Sequence, residues 1–487
     1  MTARPLAHLG TALLLVLCAA CATPPTPDAV AVLRRAEQAM GAAGLKTLVY
    51  AGRGSGGTFG QAWQPGLAWP GLNYSVLTRQ MDYEGAAMRE EFGRSRSEVN
   101  GGGATPLMGT GEARAVGLVR GDIAWNLAGT TATASPVSVA ARAHDLWTSP
   151  HGVLKAGLRN GSTNLVARTQ GEQTAVSFTD PGRFSATIMI DAAGLVTRID
   201  SRMPNAVMGD VEVTTLFTDY RDHGGVKFPQ RIRQSQGAFE VLDITVQTVQ
   251  PNAPVDITAP ENVRSFSERV ASEKVAEGVW YVAGGSHHSV VIEMQDHIIV
   301  VEAPLYDART VAVLAEARRL VPGKPVRHVI NSHHHFDHAG GLRAAAAEGA
   351  TLVTSAMAKP YYERMFANPH RISPDLLARS GRQVNIVGVS GKHVLADATR
   401  TVEIHEMQGS VHAQGFLLVA LPKERLLIQA DAYTPGAPNS PPPPVPNANN
   451  VNLVANIERL NLGVDRILPL HGRVVPVTEL YAAIGRR

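Results

Sequence analysis

The sequence predicts an α+β protein with two folded parts: a mainly antiparallel β domain at residues 28–260 and a C-terminal domain at 276–487 in which strands alternate with helices. Three observations predict this. Polar and apolar residues alternate over 184–190 and 211–217, the period of a half-buried strand. From residue 279 onward, short β-branched runs are interleaved with longer helical stretches, the pattern of sheets covered by helices. The 487 residues are also more than one small module requires.

Composition narrows the function. With 44% hydrophobic and 18% charged residues the chain has ample material for cores. Forty-five Lys+Arg against 42 Asp+Glu leave a formal charge of +3, too even for a protein that neutralises a phosphate backbone. The 5% aromatic content offers few platforms for stacked bases. Nucleic acid is therefore not expected as a partner, and a small-molecule substrate is. Oligomeric state is not legible.

Residues 1–22 read as an export signal: one cation, Arg4, then an apolar run at 9–20, shorter than the roughly 20 residues of a membrane span. Cys18-Ala19-Ala20-Cys21 resembles a bacterial lipobox, which would acylate Cys21 and tether the protein to a membrane; an ordinary small-x-small cleavage fits the same residues. The expected location is the periplasm, free or lipid-anchored. Both cysteines fall in this leader, so neither disulfides nor thiolate metal ligands are expected beyond it.

A helix is expected at 30–43, then strands separated by the turn-forming segments 191–194, 222–225 and 252–254. The segment 217–229 weakly resembles a hairpin of the curved-sheet domains in bacterial envelope lipoprotein-carrier proteins. No catalytic cluster stands out here, so this domain reads as a platform. A linker is expected at 257–276. Strands then follow at 279–283, 289–294 and 297–302, a helix at 306–320, a strand at 327–331, a helix at 339–348 and a strand at 351–354. The C-terminal stretch adds a helix at 452–461, a strand at 466–468 and a helix at 476–484. Residues 435–450 hold many prolines and read as an extended surface loop.

The densest chemistry is Asn331-Ser332-His333-His334-His335-Phe336-Asp337-His338-Ala339-Gly340-Gly341, lying between an expected strand and an expected helix. In extended chain, residues two apart point the same way, so His333 and His335 can meet one cation. Where the chain turns into the helix, Asp337 and His338 can face a second. Two cations about 3.5–4 Å apart clamp a nucleophile and polarise a substrate oxygen.

This motif, His333-x-His335-x-Asp337-His338, resembles the signature of the metallo-β-lactamase superfamily, and the resemblance covers residues 276–487. It implies an αββα sandwich with two metals at one sheet edge and three further ligands downstream. His412, with His405 as a rival, matches the third histidine of the first metal; Asp431 matches the bridging carboxylate; His471 matches the last ligand of the second metal. Glu302 stands where an aspartate behind the ligands is more usual in the family.

The resemblance implies a dinuclear-zinc hydrolase, with iron or manganese as other metals, in which a metal-bound hydroxide attacks an ester, lactone, thioester or amide carbonyl. Asp337 is expected to shuttle a proton. Tyr433 is expected to lean over the site as a donor or to pack beneath it, and His287 and His288 to border the substrate. The bridging Asp431 and the missing cysteine argue against antibiotic hydrolysis as the main activity. The 16 residues after His471 argue against a glyoxalase II-like thioesterase. Asp431-Ala432-Tyr433-Thr434 has some similarity to acyl-homoserine lactonases. Two competitors are an iron-dependent persulfide oxygenase on the same fold and an envelope binding lipoprotein with an inert metal domain.

Overall fold

The computed structural model describes residues 1, 27–98, 111–159, 161–438 and 440–486. The export segment with Cys18 and Cys21 lies outside the described residues, Met1 apart. Among the described residues no helix is long and apolar enough to cross a membrane.

Among the described residues, those between 47 and 251 contribute one antiparallel sheet of 13 strands. Its first strand, Thr47–Gly57, lies mid-sheet between Gly71–Asp82 and the last strand, Phe239–Pro251, so two meanders are joined edge to edge. The expected strands at 184–190 and 211–217 lie within Phe184–Ile190 and Gly209–Asp222. The helix Ala29–Ala39 starts where the Asp28 carboxylate accepts the Val30 N–H at 2.9 Å, and it is shorter than expected, capped at Met40. Two further helices, Val139–Trp147 and Pro150–Leu158, were not evident from the sequence pattern. Val139–Trp147 touches both Ala87–Arg96 and Val196–Asn205, strands far apart in the sheet order. The sheet must therefore curl around the helices, and Leu33, Leu146, Leu154, Phe178 and Ile188 fill the space enclosed.

The expected linker at 257–276 is not free chain. Ile257, Ala259 and Val263 bury against Leu118 and Trp125 of the N-terminal domain, whereas Ala271–Ala276 is already the edge strand of the next sheet. Apolar side chains at the start of the segment and strand-forming ones at its end account for the difference.

The C-terminal domain stacks a seven-stranded sheet on a six-stranded one. In the first sheet, alternate residues serve two cores. Val290, Ile292, Ile299, Val301, Ile330 and Val353 face the second sheet, while Val291, Ile298, Val300, Val329 and Leu352 face the helices Asp307–Leu320 and Leu342–Ala347 outside. This explains why these strands read as unbroken apolar runs: both faces are buried. Ala448–Arg459 and Val477–Ala483 cover the other sheet, completing four layers. The proline-rich loop ends earlier than expected, at Asn447, whose side chain accepts the Asn449 N–H at 2.8 Å and starts that helix.

The helix expected at 339–348 is split into Phe336–Ala339 and Leu342–Ala347 by Gly340 and Gly341. A Cβ on Gly340 would stand 2.0 Å from the Leu305 carbonyl oxygen, and one on Gly341 would stand 1.8 Å from the Thr310 hydroxyl. Only glycine permits this approach, which seats the histidine-rich loop directly on the sheet edge.

The two domains touch through residues 58–70, the connection between the first two strands of the large sheet. Phe59 and Trp69 pack edge-on against Phe336 with ring centroids 5.3 and 5.9 Å apart. A second contact runs from Asn368 Nδ2 to the Met208 carbonyl and from the Asp210 N–H to the Pro369 carbonyl.

Candidate metal centre

Every predicted ligand arrives from the end of a strand in the sandwich. Val326–Ile330 delivers His333 and His335, and the short helix after it delivers Asp337 and His338. His412 precedes Leu417–Leu421, Asp431 follows Leu426–Gln429, and His471 follows Arg466–Pro469. The seven side chains, with His287, form two groups of four whose donor atoms lie within 4.8 Å of one another: His333, His335, His412 and Asp431 in one, and His287, Asp337, His338 and His471 in the other.

In the first group His333 Nε2 lies 3.0 Å from His335 Nδ1 and 3.2 Å from His412 Nε2. Asp431 Oδ2 is 2.8 Å from His412 Nε2. In the second, His338 Nε2 lies 3.1 Å from His471 Nε2, and Asp431 Oδ1 is 3.1 and 2.9 Å from these two nitrogens. Asp431 thus turns one oxygen to each group. Four ligands at zinc–nitrogen length around one tetrahedral centre would stand roughly 3.3 Å apart, close to what is seen.

The hydrogen bonds behind the ligands fix which nitrogen is bare. Ser332 Oγ gives its hydrogen to Glu302, which as a carboxylate only accepts, so the serine oxygen must accept from His333 Nδ1 at 3.0 Å. That leaves His333 Nε2 with a lone pair. By the same logic His338 Nδ1 donates to Glu302 Oε2 at 3.1 Å, His471 Nδ1 to the Ser286 carbonyl at 2.8 Å, and His335 Nε2 to the Ala62 carbonyl at 3.0 Å. Their inner nitrogens, and the buried Asp431 Oδ1 that lacks a hydrogen-bond partner, are acceptors facing acceptors. Such an arrangement repels itself unless a positive charge sits among the lone pairs, so the residues fit a pair of divalent cations.

Electrostatics agree. Burial, reinforced by neighbouring imidazoles, holds His333 and His335 well below the usual histidine range and keeps them neutral. His338 goes the other way: burial opposes its cation, but Asp431, Asp337 and Glu302 overcome this and raise it well above that range. Asp431 is held ionised against burial by His338 and His412. The site attracts positive charge, a proton on His338 being the minimal form.

Glu302 is the hub of the layer behind. It is 0% exposed and adopts φ +75°, a costly conformation for a residue with a Cβ. Its Oε1 accepts from Asn331 Nδ2 at 3.1 Å, and Asn331 Oδ1 in turn accepts from the Tyr362 hydroxyl at 2.8 Å. The residue that departs from the family pattern still orients His338 and, through Ser332, His333.

The other candidates separate. His287 joins the second group, its Nε2 3.1 Å from Asp337 Oδ2, a place more intimate than the bordering one expected. His288 joins neither group: buried, it accepts the Gly284 N–H at Nδ1 and packs on Tyr281. Tyr433 packs in the domain core, its hydroxyl raised by burial with Glu479 and Arg473 as its charged neighbours. Of the two roles the sequence left open, its burial in this core favours packing. His405 pairs with Glu403 at 2.9 Å on its own strand and stays outside both groups. Sequence reasoning missed Gln61 and Ala62, which reach the site from more than 270 positions away.

Residues 282–471 match the family model described as Metallo-beta-lactamase superfamily. Among solved structures, the chain is similar to a metallo-beta-lactamase from Pontibacter korlensis, with 15% identity over 45% of this chain and 98% of that one, at a TM-score of 0.34. It is likewise similar to the metallo-beta-lactamase FIM-1 from Pseudomonas aeruginosa in its mono-zinc form, with 16% identity over 45% of this chain and 94% of that one, at 0.34. A metallo-beta-lactamase from Hirschia baltica shares 17% identity over 44% and 96%, also at 0.34. No match is found among curated proteins.

Proposed function

Because residues 282–471 belong to the metallo-beta-lactamase superfamily, we propose that the protein is a dinuclear-metal hydrolase of small carbonyl substrates, with zinc as the expected metal. The observation that carries this reading is the pair of four-residue donor groups sharing Asp431. Histidine nitrogens and carboxylate oxygens without sulfur suit zinc, with manganese and iron as neighbours in ligand preference. When bound, the cations would supply Lewis acidity, acidifying water towards neutral pH and offsetting negative charge that develops on a carbonyl oxygen.

The chain's own residues do the rest. His333, His335 and His412 would hold one cation through uncharged ring nitrogens of His333 and His335 and the Nε2 of His412, and Asp431 would contribute one oxygen to each group. Asp337 sits at the boundary between the buried cluster and solvent, its side chain 31% exposed. Gln61 Nε2 donates to its Oδ1 at 2.9 Å, and His287 faces its Oδ2. A carboxylate so held can accept a proton from water and pass it to a leaving group without leaving its place. A second complete donor group favours this reading over a single-iron oxygenase, which needs only one.

Periplasmic export with release or lipidation at Cys21 is part of the same proposal. The test is elemental analysis of the purified full chain with a panel of ester, lactone, thioester and cephalosporin substrates. The expected result is hydrolysis of at least one class, abolished by chelation and restored by zinc or manganese. Persulfide-dependent oxygen consumption with one iron per chain, and no hydrolysis, would overturn it.

A further inference from the structure

Residues 60–64 of the N-terminal domain make successive contacts with the loop that carries the ligands. The Gly60 carbonyl accepts the Phe336 N–H at 3.1 Å, and the Trp63 carbonyl accepts the Gln414 N–H at 2.8 Å, two residues beyond His412. Between these anchors, the Ala62 carbonyl accepts from both His335 Nε2 at 3.0 Å and His334 Nε2 at 2.7 Å. Gln61 Nε2 donates to Asp337 Oδ1. One short stretch therefore stands behind a ligand of each group.

We propose that this segment completes the metal centre, so that metal loading and docking of the N-terminal domain stabilise each other. The inference rests on the metal-centre reading above. Its physical basis is specific. His335 offers Nδ1 to the cation only if its proton is on Nε2, and the Ala62 carbonyl is the acceptor that holds it there. The N-terminal domain thus acts as a positioning element, with Gln61 and Ala62 in the place that Glu302 and Ser286 of the C-terminal domain take for the other ligands. Coupling of this kind is reciprocal: what docking adds to metal affinity, metal adds to docking.

Gly60 gives a way to break the docking without touching a ligand. It sits at φ +80°, and a Cβ there would stand 2.6 Å from the Phe336 ring. In the full-length protein, zinc affinity is measured by competition with a chromophoric chelator for wild type, Gly60→Val and Gln61→Leu. Hydrogen exchange of residues 58–70 is followed in the wild type with zinc and after chelation. The expected result is affinity weakened about 10–100-fold at both sites in Gly60→Val and at one site only in Gln61→Leu. In the wild type, amides of 58–70 lose protection when zinc is removed, while the adjoining strand Thr47–Gly57 does not change. Two zinc ions bound with wild-type affinity in both variants, together with exchange at 58–70 indifferent to zinc, would overturn the inference and leave the metal centre standing. A wild type that binds no zinc would instead overturn the reading beneath it. The wild-type exchange measurement decides even if Gly60→Val fails to fold.

Discussion

His144 and His333 are both buried histidines, one in each domain, and the hydrogen atoms around them are arranged in opposite ways. In the N-terminal domain His144 has a hydroxyl at either nitrogen, Ser201 at 2.9 Å and Thr148 at 3.4 Å, and His151 faces the Met40 carbonyl at 3.3 Å. His144 spends both nitrogens on hydroxyls and packs on Phe184, whereas His151 stacks on Phe228 with Nε2 at a carbonyl and its buried Nδ1 without a hydrogen-bond partner. Around His333 the outer nitrogens are spent in the same way, yet the inner ones are left facing other bare nitrogens. Burial alone therefore says nothing about function; the direction of the lone pairs does.

The largest expected effect breaks the comparison at its centre. Asp431→Asn keeps the volume and removes the one charge both groups share, so metal content should fall and metal-dependent turnover should drop to background, read by elemental analysis and substrate assay. The N-terminal core has no share in this residue and should keep its fold by near-ultraviolet circular dichroism. Retained turnover would mean that the carboxylate is not a bridge.

Next comes the layer behind the ligands. Glu302→Gln offers an amide where only acceptors satisfy Ser332 and His338, and metal affinity should weaken about 10–100-fold, measured by chelator competition. Unchanged affinity would show that the imidazoles are oriented by packing alone.

The N-terminal histidines sharpen the contrast through pH. Burial lowers His144 to about 3 and His151 to about 4, so in the folded state both stay neutral where the unfolded chain would already bind protons. The unfolded state holds more protons between about pH 6.5 and 4, hence their contribution is full above about 6.5 and declines as pH falls. The loss should approach about 1.4 kcal/mol per pH unit per histidine, and His151→Leu should flatten the acid slope in urea melts. An unchanged slope would place the acid sensitivity elsewhere.

The smallest effect is expected at the rival ligand. His405→Gln should leave metal stoichiometry intact and shift affinity by less than about twofold, since its partner is Glu403 on the same strand.

Much of the C-terminal architecture was legible in the sequence because its strands are buried on both faces and its ligands lie in the loops and the short helix beside them. His333, His335, Asp337 and His338 share one loop, and His412, Asp431 and His471 each stand next to an apolar run, so local pattern located them. The large sheet was harder. Its single alternating strands could be recognised, but the pairing of Thr47–Gly57 with Phe239–Pro251 joins residues nearly 200 apart, and no local pattern encodes it. Helices 139–147 and 150–158 were missed because their buried sides face a curled sheet rather than a sequence neighbour. Gln61 and Ala62 carried no signal: a backbone carbonyl such as that of Ala62 has no residue type, a lone glutamine such as Gln61 is common on surfaces, and only the folded chain brings them to His335 and Asp337. For Tyr433 the sequence left donor and packing roles open, because proximity to Asp431 in sequence says nothing about which way a ring turns after a strand ends.

The account stands on two cations gathered by eight side chains, and metal stoichiometry of the full chain by elemental analysis, in wild type and in His333→Ala and His338→Ala, tests that most directly. Two ions per chain in the wild type and fewer in each variant are expected. Metal-free wild-type protein after reconstitution with zinc, or two ions retained in both variants, would contradict it.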